Sequence, residues 1–192
     1  MGNTLYFTAD DGTNGSELWK TDGTSSGTVM VKDINSGSGG ASPYLLTANG
    51  NTLYFDANDG TNGSELWKTD GTASGTVMVK DINSGSGTSH ATDITPMGNT
   101  IYFSAKDGTH GYELWKSDGT ASGTVMVQDI RSGIGASSPD QFTVVGNTLF
   151  FRATDGYGYQ LWALDPANIM FGSSVAGATC SISPSLPAGL SI

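Results

Sequence analysis

Gly50-Asn-Thr-Leu-Tyr-Phe55, Glu65-Leu-Trp-Lys68, Asp70-Gly-Thr72 and Gly75-Thr-Val-Met-Val-Lys-Asp-Ile82 decide the fold, because this series recurs through the chain at a fixed period. It opens at Gly2, Gly50, Gly98 and Gly146, 48 residues apart each time. One Trp falls in each copy: Trp19, Trp67, Trp115 and Trp162. Copies one and two are nearly identical through Gly39 and Gly87, differing at Thr8/Asp56, Asp10/Asn58 and Ser25/Ala73. Copy four decays, with Gln160 in the Glu slot and Asp165-Pro-Ala167 in place of Asp-Gly-Thr, as terminal repeats do.

Each unit offers four short strands, which in copy two run from about Tyr44 to Ala48, Thr52 to Ala57, Glu65 to Thr69 and Thr76 to Ile82. Asn-Gly and Asp-Gly pairs separate them, and these residues accept the positive φ of tight turns, so the strands pair as antiparallel hairpins. Thr-Leu-Tyr-Phe and Thr-Val-Met-Val are apolar on consecutive residues, which predicts sheets covered on both faces. Four strands in about 48 residues is the size of one propeller blade. The predicted fold is therefore all-β: a β-propeller of four four-stranded blades, complete or a fragment of a larger one. A stacked β-repeat solenoid is the alternative. The predicted propeller-like domain spans residues 2–172 (repeats about 2–49, 50–97, 98–145 and 146–172), and 173–192 form a tail. Because the first copy begins at the second strand of a blade, the missing strand is expected from the tail or from another chain. Strand exchange, a dimer and a monomer all stay open.

The 192 residues include 28 Gly and carry a formal charge of −10, with a pI near 4.2. That field repels phosphate backbones and anionic headgroups, so nucleic acid and membrane insertion are not expected. No apolar run approaches the ~20 residues of a membrane span, and no secretion signal precedes the first repeat, so a longer natural chain is expected.

Glu-Leu-Trp-Lys-Thr-Asp-Gly-Thr at Glu17 and Glu65, and Glu-Leu-Trp-Lys-Ser-Asp-Gly-Thr at Glu113, resemble the signature of the ELWxxDGT-repeat proteins, over roughly residues 2–165. These hyalin-like microbial proteins are large and surface-displayed or secreted. The resemblance implies a propeller-like repeat without catalytic residues, in an extracellular or cell-surface setting. After Gly172 the run Cys180-Ser-Ile-Ser-Pro-Ser-Leu-Pro resembles the opening of Ig-like modules of microbial surface proteins.

Most of the 18 acidic residues recur at fixed slots, so they serve the repeat rather than one active centre. Asp22, Asp70 and Asp118 read as structural turn residues whose carboxylates take amides of their own turns. Asp10, Asp11, Asp56, Asn58, Asp59 and Asp107 are candidate calcium ligands, since closely spaced Asp and Asn oxygens suit that ion. Their spacing misses the EF-hand pattern by a residue. No cofactor is required. Trp19, Trp67, Trp115 and Trp162 read as core residues packing blade on blade, with sugar stacking the alternative. His90 and His110 occur once each in different loop slots, and no Gly-x-Ser-x-Gly elbow is present, so no catalytic residue is named. Cys180 is the sole cysteine, without basic neighbours. The expected function is a non-catalytic surface scaffold for adhesion or for binding a surface protein or glycan. The alternatives are a passive spacer or envelope component and, further off, a propeller enzyme such as a glycosidase.

Overall fold

In the computed structural model of the chain, residues 1–165 are described, together with the backbone of the strand at 168–170. The tail at 173–192, with Cys180, lies outside the described residues. So does Pro166.

The described chain is all β. Strands β1 (Leu5–Asp10), β2 (Ser16–Thr21) and β3 (Val29–Lys32) make sheet one. Sheet two holds β4 (Tyr44–Asn49), β5 (Thr52–Asn58), β6 (Ser64–Thr69) and β7 (Val77–Lys80). Sheet three holds β8 (Thr92–Met97), β9 (Thr100–Ala105), β10 (Glu113–Ser117) and β11 (Val125–Gln128). Sheet four holds β12 (Asp140–Val145), β13 (Thr148–Thr154), β14 (Tyr159–Asp165) and β15 (Asn168–Met170). Within every sheet the strands follow chain order and pair antiparallel. Sheet one has three strands instead of the expected four.

The sheets are one strand out of phase with the sequence repeat. Residues 44–49 close the first copy, yet they pair with β5 of the second, Thr47 opposite Tyr54 and Asn49 opposite Thr52. The last strands of sheets one to three are shorter than the apolar run suggests. In sheet two Thr76 is drawn into the preceding turn, its hydroxyl 2.7 Å from that of Thr69. Ile82 leaves the ladder to donate its amide to Glu65.

Alternation along each strand sends two sets of side chains to opposite faces, and in sheets two and three both sets find a neighbour. Leu18, Val31 and Ile34 of sheet one pack on Leu53, Phe55, Ala57 and Trp67 of sheet two. Tyr54, Leu66, Val79 and Ile82 repeat that contact on Ile101, Phe103, Ala105 and Trp115 of sheet three. Tyr102 and Leu114, with Val127 and Ile130, repeat it on Leu149, Phe151, Ala153 and Trp162 of sheet four. This answers the consecutive apolar residues of β5 and β9: sheets one to three each present a forward face, built on Leu, Tyr, Val and Ile, to the Trp face of the next. Phe55, Phe103 and Phe151 are buried at these seams, each contributing about 2–3 kcal/mol by apolar burial.

Candidate functional site

The repeated polar residues hold the frame. Glu17, Glu65 and Glu113 are wholly buried, and each carboxylate gathers the long connection that leaves its own sheet. Glu65 accepts the amides of Ile82 (2.9 Å), Asn83 and Ser89 (both 3.2 Å), plus the Ser89 hydroxyl at 2.7 Å. Glu17 takes the amides of Ile34, Asn35 and Ala41. Glu113 takes those of Ile130 and Ser137 with the Ser137 hydroxyl. Burial pushes all three carboxyls above their ordinary range against the pull of these donors.

Asp22, Asp70 and Asp118 sit in turns, as the sequence suggests. Each accepts the hydroxyl and the amide of the Thr two residues on, at 2.7–2.9 Å, and is held below the usual carboxylate range. Trp67, Trp115 and Trp162 are buried at the seams, whereas Trp19 is half-buried on the face of sheet one that no described sheet covers.

The calcium candidates are distributed among hydrogen bonds of their own. Asp11 accepts the amides of Thr13 and Asn14 and the Asn14 side chain, and Asp59 does the same with Thr61 and Asn62. Asp10 and Asn58 each accept a Gly amide at 2.7 Å. Asp56 is buried in β5, where its Oδ2 accepts the Ala91 amide at 3.0 Å. Burial would raise Asp107, but the amide and ring of His110 and the amide and hydroxyl of Thr109 outweigh it and bring it to about 2. Among the described residues, no three or more His, Cys, Asp or Glu side chains form a group that could hold a metal ion.

Two clefts differ in what lines them. One, of about 490 Å³ between sheets one and two, includes Tyr6, Lys20, Asp22, Val29, Asp70 and Gly71, all residue types that copies one to three share. The other, of about 360 Å³, lies where sheets three and four meet and is lined by His90, Thr92, Asp93, Ser104, Tyr112, Ser138, Pro139 and Asp140. Every one of these eight stands at a slot where the copies disagree.

The slot of Ser104 shows how far they diverge. Thr8 donates its hydroxyl to the Pro43 carbonyl at 2.6 Å, Asp56 accepts an amide, Ser104 faces the cleft, and Arg152 clamps Asp140 with Nε at 2.8 Å and Nη2. Asp93 is raised by burial, with Asp140 adding to it.

The backbone around this cleft is held in unusual conformations. His90, Asp93, Ser138 and Gln141 have φ of 47°, 55°, 46° and 56° without being glycine, and Ser42 and Leu45 match them in sheet two. The second residue of each pair interrupts the register of its inner strand, between Tyr44 and Thr47, Thr92 and Thr95, and Asp140 and Thr143. Bulges and left-handed non-glycine residues gather where side chains must be aimed, at a cost of about 1–3 kcal/mol each. Sequence reading missed this cleft because each of its residues is unremarkable alone. The available signal was the divergence of 88–93 and 136–141 from the matching residues of the other copies.

No family model matches the chain, and no curated protein does. Among solved structures it is similar to a mutant puromycin hydrolase in complex with PGG, with a TM-score of 0.58 at 16% identity over 86% of this chain. The chain spans about a quarter (26%) of that protein's length. The likeness is one of fold, that of a β-propeller peptidase, and agrees with the four antiparallel sheets.

Proposed function

We propose that the four sheets are blades of a β-propeller, and that the chain is part of a non-catalytic extracellular or cell-surface repeat scaffold that binds a glycan or a surface protein. The residues of the ELWxxDGT pattern support the scaffold half of this reading, since they are spent on turns, staples and seams. One observation carries the binding half: the cleft between sheets three and four is lined wholly by residues that differ between copies. A repeat under selection only as a spacer has no need to vary its residues at one end of the inner strands while keeping its frame. The lining suits a hydroxyl-rich or peptide ligand, with carboxylates at Asp93 and Asp140, hydroxyls at Thr92, Ser104, Tyr112 and Ser138, and an imidazole at His90.

Glycan and surface-protein arrays probed with the chain test this. The expected result is a saturable ligand whose affinity falls at least about tenfold, roughly 1.4 kcal/mol, in a His90→Ala, Asp93→Ala double variant that keeps the wild-type melting temperature. A ligand bound equally well by that variant, or no ligand on either array, overturns the reading in favour of a spacer.

A further inference from the structure

We infer that the Trp face of sheet one, which no described sheet covers, is a docking surface for one more unit of this same repeat, presenting the Tyr, Leu and two Lys of a forward face, and that sheet four is not that occupant.

Sheets one and two have almost the same residues on this face and opposite surroundings. Leu53, Phe55 and Ala57 are buried, while the matching Leu5 is 64% exposed and Phe7 and Ala9 are half-buried. Gly71, Thr69 and Thr76 are buried beneath sheet one. Their counterparts Gly23 and Thr28 are exposed, and Thr21 is half-buried.

What covers sheet two is specific. Lys20 Nζ donates to the Gly71 carbonyl at 2.7 Å and Lys32 Nζ to the Thr76 carbonyl at 2.8 Å. The Lys32 ammonium also stands 5.9 Å from the centre of the Trp67 ring. Lys68 and Lys80 repeat all three contacts on Gly119, Thr124 and Trp115. These two seams are therefore recognised by two ammonium groups, two carbonyls and an indole as well as by apolar area. Sheet one carries that acceptor set complete, in the Gly23 and Thr28 positions and Trp19. An unpaired face of this composition fits cations arriving on an apolar surface.

Sheet four lacks the matching donors. Phe150 stands where Tyr6, Tyr54 and Tyr102 stand, and Ala163 where Lys20, Lys68 and Lys116 stand. Its forward-face Leu161 is 64% exposed although Leu18, Leu66 and Leu114 are buried. Sheet four meeting sheet one, within a chain or between two copies, would leave the Gly23 carbonyl without its ammonium. The fitting occupant is a unit like one or two, since unit three carries Gln128 where Lys32 and Lys80 stand.

The test is the full chain extended by a second copy of residues 50–97 joined ahead of Gly2, where the 48-residue period keeps the register. A control extension of residues 88–97 alone supplies an inner strand to sheet one but no face. A third version carries Tyr54→Phe and Lys68→Ala in the added copy, giving it the residues of sheet four. The expected result is that only the unmodified unit shields Trp19 from acrylamide and slows amide exchange in Val29–Lys32 by about tenfold or more, and that the modified unit loses most of that gain. The inference is overturned if the added unit folds and leaves Trp19 as quenchable as before. It is equally overturned if the unit stays unfolded on a face meant to template it, or if the modified unit protects as well as the unmodified one.

Discussion

Sheets one and two are nearly the same sequence in two environments. Trp19 and Trp67 share their neighbours along the chain, Glu-Leu before and Lys-Thr-Asp-Gly-Thr after, yet Trp67 is buried and Trp19 only partly. What differs is the sheet that lies on top. Local sequence therefore sets strand, turn and staple, and neighbouring units set burial, as in any stack whose units contact only the next. The largest expected effect follows directly. Trp67→Ala should cost about 3–5 kcal/mol, the usual range for emptying a buried Trp site, whereas Trp19→Ala should cost about 1 kcal/mol or less. Urea denaturation of the two variants measures this, and equal losses would mean that sheet one is covered in solution.

Glu17 and Glu65 sharpen the comparison from the other side, because both are buried within their own unit whatever lies above. Replacing either by Ala strands two or three buried amides, at about 1–3 kcal/mol for each such group before relaxation. Glu17→Ala and Glu65→Ala should therefore both lose about 3 kcal/mol, with similar losses in the two sheets. A loss confined to Glu65 would show that the staple depends on the neighbour as well. Raised carboxyls act in a fixed direction on stability. Their contribution is full below their ordinary pKa and declines as pH rises through the raised value, so the Ala variants should differ least from wild type in alkaline buffer.

This division also explains what could be read from the chain alone. The four units, the hairpin turns and the role of Asp70 in its turn are local facts, carried by Asp-Gly pairs and by apolar residues at fixed spacing. The Trp slot was readable as a seam residue because both faces of Thr-Leu-Tyr-Phe are apolar. The staple made by Glu65 was not, since its partners Ile82, Asn83 and Ser89 are backbone and hydroxyl donors in a connection of no regular pattern. The cleft between sheets three and four was hidden for a related reason: Ser104 and Tyr112 belong to one hairpin of sheet three, but they meet Asp93 and Asp140, on the bulged inner strands of two different sheets, only in the folded chain.

A smaller effect tests whether the seam is chemically specific. Lys68 bridges to the Gly119 carbonyl, while Lys116, at the same slot one unit later, is exposed. Lys68→Met keeps the apolar stem and removes the ammonium, so it should cost about 1.5 kcal/mol, the lower end of the range for a hydrogen bond to a charged group. Lys116→Met should be neutral. Chemical denaturation separates the two, and equal behaviour would reduce the seam to apolar packing alone.

The smallest expected effect concerns one loop that departs from its copies. Asn14 and Asn62 donate a side-chain amide to Asp11 and Asp59, at 2.8 and 2.7 Å. His110 fills that slot in the third unit, its Nδ1 2.9 Å from Asp107 and its Nε2 4.0 Å from Asp129. The hydrogen bond with Asp107 raises the imidazole above its ordinary 6.5, with the charges of Asp107, Asp129 and Glu113 adding to it. A raised base stabilises the fold fully below 6.5 and loses that contribution as pH climbs through the raised value. Asp107, brought to about 2, works the other way: its contribution is present above 3.8 and fades as acid approaches 2. His110→Asn restores the pattern of the first two units and removes the titrating group while keeping a donor for the carboxylate. The melting temperature of the variant should therefore be flatter than wild type above pH 6.5, with an acid limb of the same direction, because the replacement amide donates to Asp107 as Asn14 and Asn62 do to Asp11 and Asp59. A wild-type curve with no slope in that neutral window would show that the imidazole is not held by the pair of carboxylates.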